Sequence, residues 1–515
     1  MPVRSFAIAL VAASWFTSLG SVAGASVAPP QAGDLTDDVQ RLINKGKLGK
    51  ALAGVSVIDT ESGEILVAVN ASRPLTPASN QKLLTSGAAL LILGPDFTFK
   101  TELQQSGDRI VLVGGGDPSL ADPEILAHTE PRLSVTDVLD LLADSAVKAG
   151  VKSATELVVD DRIFDREFLH PDWPARNFLM PHSAEIAGLN FNCNVIAVFA
   201  KPSREGVGHI PITSVEPDAP WIPIQNRGRT VSQGQNTPWL SREPDQNRFV
   251  LRGDVRYPVS DGIRVPIHTA PDLTGRLLAS RLNAKGVTIA GGQPTVDTEP
   301  TGVRLANADE SFADPRTLAV IATPMGEILE RCNSDSMNLY AECLLKRCGH
   351  EVTKEPGSWS NGAAVVRMLI TQKIGPEYAA STTIVDGSGL SRQNSIAPAT
   401  ITRWLDLIAD DASICDLYTN SMASPGEGTL RKRFQGVKLE SKVFAKSGFI
   451  DGVRCLSGYV VDADTGHRVA FSIMVNDIKT GDQTQAALEL HEDVVKLIDR
   501  YLSRRAEPGH VEVGG

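Results

Sequence analysis

The sequence predicts an α+β fold, an antiparallel sheet covered by helices and split by a long, mostly β insertion. Three observations carry this expectation. A hairpin and an apolar helix open the chain, short strands with glycine-rich turns fill its middle, and three strands followed by a helix close it. The 515 residues amount to about three average domains. With 42% hydrophobic and 22% charged residues the composition is that of a globular protein, which excludes disorder, collagen and coiled coil.

Residues Phe6 to Ala25 are apolar and small, follow Met1-Pro2-Val3-Arg4 and end in Ala23-Gly24-Ala25. This reads as a secretory signal peptide cut after Ala25; the alternative is an uncleaved anchor, which Ser14, Thr17, Ser18, Gly20 and Ser21 argue against by diluting the run. No cysteine follows the run, so no lipoprotein is expected, and no later stretch is apolar enough to span a membrane. Val55 to Thr60 and Ile65 to Asn70 flank the turn Glu61-Ser62-Gly63 and predict a hairpin. Ala78 to Leu93, rich in Ala and Leu and ended by Gly94-Pro95, predicts a buried helix. From Phe97 to about 300 the chain changes to short strands, turns such as Gly114-Gly115-Gly116-Asp117-Pro118 and a helix over Val135 to Lys148, and a Pro/Gln/Asn-rich patch near 214–246 suggests a further insertion. From Pro315 onward, helices are expected at Met325 to Cys332 and Leu339 to Arg347. Strands follow at Val443 to Gly448, Cys455 to Asp462 and Arg468 to Asn476, then a helix over Gln485 to Ser503.

Lys and Arg total 50 against 61 Asp and Glu, so the chain offers no basic field for a polyanion and no nucleic-acid partner is expected. The six cysteines form no CxxC pair and decide nothing about redox compartment. None of the nine histidines has short paired spacing, and no metal or other cofactor is expected.

Three motifs carry chemistry. Ser79-Asn80-Gln81-Lys82 opens the buried helix, where positions i and i+3 share a face, so the lysine can return over the serine hydroxyl. A desolvated lysine can take a hydroxyl proton, and a helix N-terminus leaves N–H groups free for an oxyanion. The spacing alone is weak, because Ser145-Ala146-Val147-Lys148 repeats it on an amphipathic helix. Ser336-Met337-Asn338 is the second; it can relay a proton and hold a carbonyl, or simply cap a helix. Lys446-Ser447-Gly448 is the third: its cation can bind a carboxylate and depress the Lys82 pKa, and its glycine admits a substrate backbone to the strand edge. Lys479-Thr480-Gly481 has the same pattern but lies beyond the last strand.

Ser-x-x-Lys, Ser-x-Asn and Lys-Ser/Thr-Gly in this order are the trio of penicillin-binding proteins and serine β-lactamases. The chain resembles the low-molecular-mass class C penicillin-binding proteins, the D-alanyl-D-alanine carboxypeptidase/endopeptidase family. The resemblance extends to Asp160-Asp161, Leu189-Asn190-Phe191-Asn192, Asp386-Gly387-Ser388-Gly389-Leu390-Ser391, Gly428-Thr429-Leu430 and Leu456-Ser457-Gly458-Tyr459. It includes the 254 positions between Lys82 and Ser336 (336 minus 82), which match two domains inserted between the first two motifs. It implies a signal peptide over 1–25, a discontinuous catalytic domain over 26–96 and 312–515, an inserted domain over 97–195 and 266–311, and another over 196–265.

The resemblance also implies that Ser79 forms an acyl-enzyme, that Lys82 activates it, that Ser336 and Asn338 move protons and hold the peptide, and that Lys446 places charge near Ser336 and the substrate carboxylate. Ser447 and Gly448 would bind substrate, and the N–H groups of Ser79 and Phe449 would form the oxyanion hole. Implied partners are peptidoglycan stem peptides and β-lactam antibiotics, in a periplasmic setting. Two departures stand out: Phe449 replaces a second hydroxyl after the Lys-Ser-Gly, and Trp173-Pro174-Ala175-Arg176-Asn177 has an amide where some members carry an acid that meets a diamino acid. A β-lactamase or esterase on the same core, and a non-catalytic wall-binding or β-lactam-sensing protein, are the alternatives.

Overall fold

Strand Arg468–Asn476 alternates with period two. Val469, Phe471, Ile473 and Val475 enter one apolar cluster with Ala487, Leu490 and Val494 of the C-terminal helix. Ala470 and Met474 enter another, with Leu83, Leu84 and Tyr340, on the opposite face. A strand buried on both faces belongs in the middle of a sheet, and it lies there: the order is Lys442–Ile450, Val453–Val461, Arg468–Asn476, Leu52–Asp59, Ile65–Val69. All neighbours are antiparallel. The N-terminal hairpin and the three C-terminal strands therefore form one sheet. The helix Gly481–Ala506 covers one face, and Gln81–Leu93 with Asn338–Thr353 and Pro398–Ala409 the other.

The structure is a computed structural model and describes residues 32–243, 245–290 and 301–506. The expected signal peptide lies outside them. The chain leaves the first sheet at Phe97 and returns at Met325, whose N–H donates to the Phe97 carbonyl at 2.9 Å. Between these points a second five-stranded sheet has the order Val303–Leu305, Leu157–Asp160, Arg109–Gly114, Thr98–Ser106, Arg316–Pro324. Helices Val135–Lys148 and Ala270–Ala284 pack against it. Small sheets built on Val195–Lys201, Trp239–Arg242 and Phe249–Arg252 extend the same apolar cluster. Arg316–Pro324 pairs with Thr98–Ser106 of the inserted sheet, although the sequence reading assigns the chain from 312 onward to the catalytic domain. The reason is geometric: a strand's own alternation shows that it has a buried face, not which sheet it joins.

Candidate active site

Ser79 sits in a single 3-10 turn, Ala78–Asn80, that leads into the helix Gln81–Leu93. Ala78 takes a left-handed backbone (φ 46°), which an alanine adopts only where the surroundings enforce it. Two glycines let those surroundings close in. A Cβ on Gly389 would lie 1.8 Å from the Ala78 carbonyl oxygen, and one on Gly448 would lie 2.9 Å from that of Pro77. Gly448 thus also leaves room for the turn that carries Ser79.

Lys82 has no exposed surface. Its Nζ donates to Ser79 Oγ at 3.1 Å, to Asn338 Oδ1 at 2.7 Å and to the Ser388 carbonyl at 3.0 Å. Burial pushes its pKa down, against the nearby Cys332, Glu342 and Asp386, which raise it. Ser336 precedes the helix Asn338–Thr353 in a left-handed conformation (φ 64°) and lines the cleft. No side chain caps this helix at Met337. Asn338 instead bridges two parts of the molecule, accepting from Lys82 and donating through Nδ2 to the His182 carbonyl at 2.8 Å.

Lys446 is also fully buried, and its Nζ donates to the Ser447 carbonyl at 3.0 Å. Burial, then the Lys82 charge, holds its pKa well below the usual lysine range. At Lys82 the first cause of the lowered pKa is its own burial. Lys446 lies on the free edge strand of the first sheet. There the Ala445 N–H donates outward to the Ala423 carbonyl at 2.9 Å. Backbone groups alternate sides along a strand, so the N–H groups of Ser447 and Phe449 also face the open edge. Phe449 is 65% exposed, and its ring carries the Arg454 guanidinium 4.0 Å from its centroid.

A cleft of about 420 Å³ joins these groups, lined by Ser79, Ser336, Asn338, Ser447 and Phe449. Pro174, Arg176, Asn177 and His182 of the inserted region form the opposite wall. Trp173 is buried behind that wall, its Nε1 donating to Asp386 Oδ2 at 2.9 Å. The sequence reading gave no role to Ser388, whose carbonyl accepts from Lys82, nor to Asp386 and Glu342, which accept N–H groups of the same loop. The regular Asp-Gly-Ser-Gly spacing from 386 was the one available signal. The decoys stay apart: Ser145 and Lys148 lie on the helix Val135–Lys148 of the inserted region, and Lys479-Thr480-Gly481 leads into the C-terminal helix. Tyr418 is buried with its hydroxyl donating to the Leu83 carbonyl at 2.8 Å. All six cysteines are free and buried.

A family model described as the D-Ala-D-Ala carboxypeptidase 3 (S13) family matches residues 35–497. The chain belongs to this family. A D-alanyl-D-alanine carboxypeptidase of an Actinomadura species is 29% identical over 497 residues, covering 92% of this chain and 86% of the relative. The D-alanyl-D-alanine carboxypeptidase DacB of Haemophilus influenzae is 26% identical, covering 87% and 88%. The crystal structure of penicillin binding protein 4 from Haemophilus influenzae superposes with a TM-score of 0.71 at 23% identity, covering 89% of this chain and 99% of that one. The last likeness is one of fold, and it gives this family member the penicillin-binding architecture expected from the sequence.

Proposed function

We propose that this serine-type D-Ala-D-Ala carboxypeptidase acts on peptidoglycan stem peptides through an acyl-enzyme on Ser79, and that β-lactams acylate the same residue. The observation that carries the reading is the fully buried Lys82, whose Nζ lies 3.1 Å from Ser79 Oγ. Neutral Lys82 takes the hydroxyl proton as Ser79 Oγ attacks the carbonyl of the penultimate D-alanine. The N–H groups of Ser79 and Phe449 hold the oxyanion. The bond to the terminal D-alanine breaks, its nitrogen receiving a proton by way of Lys82 and Ser336, and water then releases the acyl group. In a β-lactam the leaving nitrogen stays tethered to the acyl group, so the adduct persists. Asn338, Ser447 and Gly448 line or shape the binding edge, and Lys446 contributes charge from beneath it. The catalytic unit comprises 26–96 and 312–515, with Arg316–Pro324 lent to the inserted sheet. The inserted units are 97–195 with 266–311, and 196–265. Export to the periplasm after cleavage at Ala25 completes the proposal.

Intact-mass spectrometry with benzylpenicillin, beside a D-alanine release assay on a D-Ala-D-Ala pentapeptide, tests it. A stoichiometric adduct and released D-alanine are expected, both lost in Ser79→Ala. Rapid release of opened antibiotic without D-alanine would mark a β-lactamase, and no adduct from folded protein would remove the catalytic reading.

A further inference from the structure

Glu342 is a fully buried acid to which the chemistry above gives no task. It lies one turn beyond Asn338 on the helix Asn338–Thr353. Its Oε1 accepts the Ser388 N–H at 2.8 Å, and its Oε2 accepts the Gly387 N–H at 2.7 Å and the Trp359 indole N–H at 2.9 Å. The carbonyl of that same Ser388 accepts from Lys82 Nζ at 3.0 Å. One residue thus stands between acid and base, its N–H held by Glu342 and its C=O by Lys82. Asp386 fastens the loop from its other side, accepting the N–H groups of Gly389 and Ser391 at 2.8 and 2.6 Å. A carboxylate this buried needs both donors and a countercharge; the loop backbone and the indole supply the first, and Lys82 supplies the second.

We propose that Glu342 is a positioning residue for the base: it fixes the loop 386–391 so that the Ser388 carbonyl meets Lys82 Nζ, and its charge reaches Lys82 through that loop. The inference rests on the reading of Lys82 as the base. Burial, then the Asp386 charge, holds the Glu342 pKa above the usual carboxylate range, against its three donors, which lower it. The groups facing it are Asp386 on the loop, Lys82 on the helix Gln81–Leu93, Cys332 on the helix Met325–Asn333, and Cys343 and Lys346 on its own helix. Lys346 is engaged elsewhere, donating to Asp165 Oδ1 at 2.6 Å. Lys82 is therefore the cation that Glu342 meets through the loop. A charged Glu342 favours the charged form of Lys82 and holds its pKa up. Removing that charge lets the Lys82 pKa fall, so the acid limb of acylation moves to lower pH.

The experiment measures the second-order rate of benzylpenicillin acylation against pH by quenched intact mass, for the wild type, Glu342→Gln and Trp359→Phe. In Glu342→Gln the limb is expected about one pH unit lower, with a reduced plateau because the loop has lost an acceptor. Trp359→Phe keeps the charge but removes one donor, which raises the Glu342 pKa and moves the limb the same way by less. It carries the test if Glu342→Gln does not fold. A lower plateau with the limb unmoved in the folded variants leaves Glu342 a purely structural acid and overturns the proposal. A wild type that is acylated without any acid limb overturns the Lys82 reading itself, and the proposal with it.

Discussion

Lys82 shows how burial makes a base from a group that is ordinarily an acid. Fully enclosed, it has a pKa held below the 10.5 of an exposed lysine. Because the neutral amine does the work, kcat/KM for D-alanine release should rise with pH through a limb that lies below that value, and fall as Lys82 takes up its proton. Lys82→Arg cannot lose a proton near neutrality, and it should cost about a hundredfold or more in acylation while Ser79 remains present. Retention of near wild-type acylation by Lys82→Arg would remove Lys82 as the base; the pH profile of D-alanine release checks the limb. Ser79 and Lys82 were legible because their chemistry resides in side chains at a helical spacing. The partner of Lys82 at Ser388 was not, because a main-chain carbonyl has no letter of its own. Glu342 looks in the sequence like any solvated helix charge, and only the fold shows it without exposed surface.

At the scale of elements, punctuation was readable and partners were not. The helix ended by Gly94-Pro95 and the hairpin turned at Glu61-Ser62-Gly63 occur where glycine and proline mark them. The edge strand runs two residues past the expected Gly448, to Ile450, because Phe449 and Ile450 still pair with Arg454 and Val453. What the sequence left out is how the inserted region reaches the first sheet's helices. Two of its hydrogen bonds reach the site itself, the His182 carbonyl accepting from Asn338 and Trp173 Nε1 donating to Asp386, while Asp122 accepts from Arg331 and Tyr340, and Asp165 from Lys346, further along the helices. The loop 386–391 therefore answers to both parts of the chain. Trp173→Phe keeps an aromatic ring against Trp359 and deletes the donor together with part of the buried indole volume, leaving buried Asp386 one partner short at about 1–3 kcal/mol. A lower Tm and several-fold slower benzylpenicillin acylation are expected, with the adduct still on Ser79. Wild-type acylation in this variant, measured by intact mass beside thermal unfolding, would show that the indole bond does not help to hold the site.

Across the whole molecule, the insertion is not a uniform appendage. Its near part is built into the same apolar cluster as the helices behind the cleft, through Phe164, Trp173, Ala184 and Ile186. Its far part, including Leu240, Phe249, Leu251 and Val255, belongs to the second cluster, and no described residue between 183 and 335 lines the cleft. The two parts should therefore respond differently to removal. Strand Val195–Lys201 pairs directly with Ile263–Pro266, and the Val259 N–H donates to the Ala200 carbonyl at 2.9 Å. Excising 202–258 and joining Lys201 to Val259 by a short glycine-rich turn keeps that pairing. It exposes apolar side chains of the second cluster, so Tm should fall. The cleft, with Ser79, Lys82, Asn338 and the His182 contact, remains assembled, and benzylpenicillin acylation should stay within about threefold of wild type, less than the effect of one lost hydrogen bond. Folded excised protein with acylation reduced a hundredfold would mean that the far part supports the site from a distance, because none of its described residues lines the cleft.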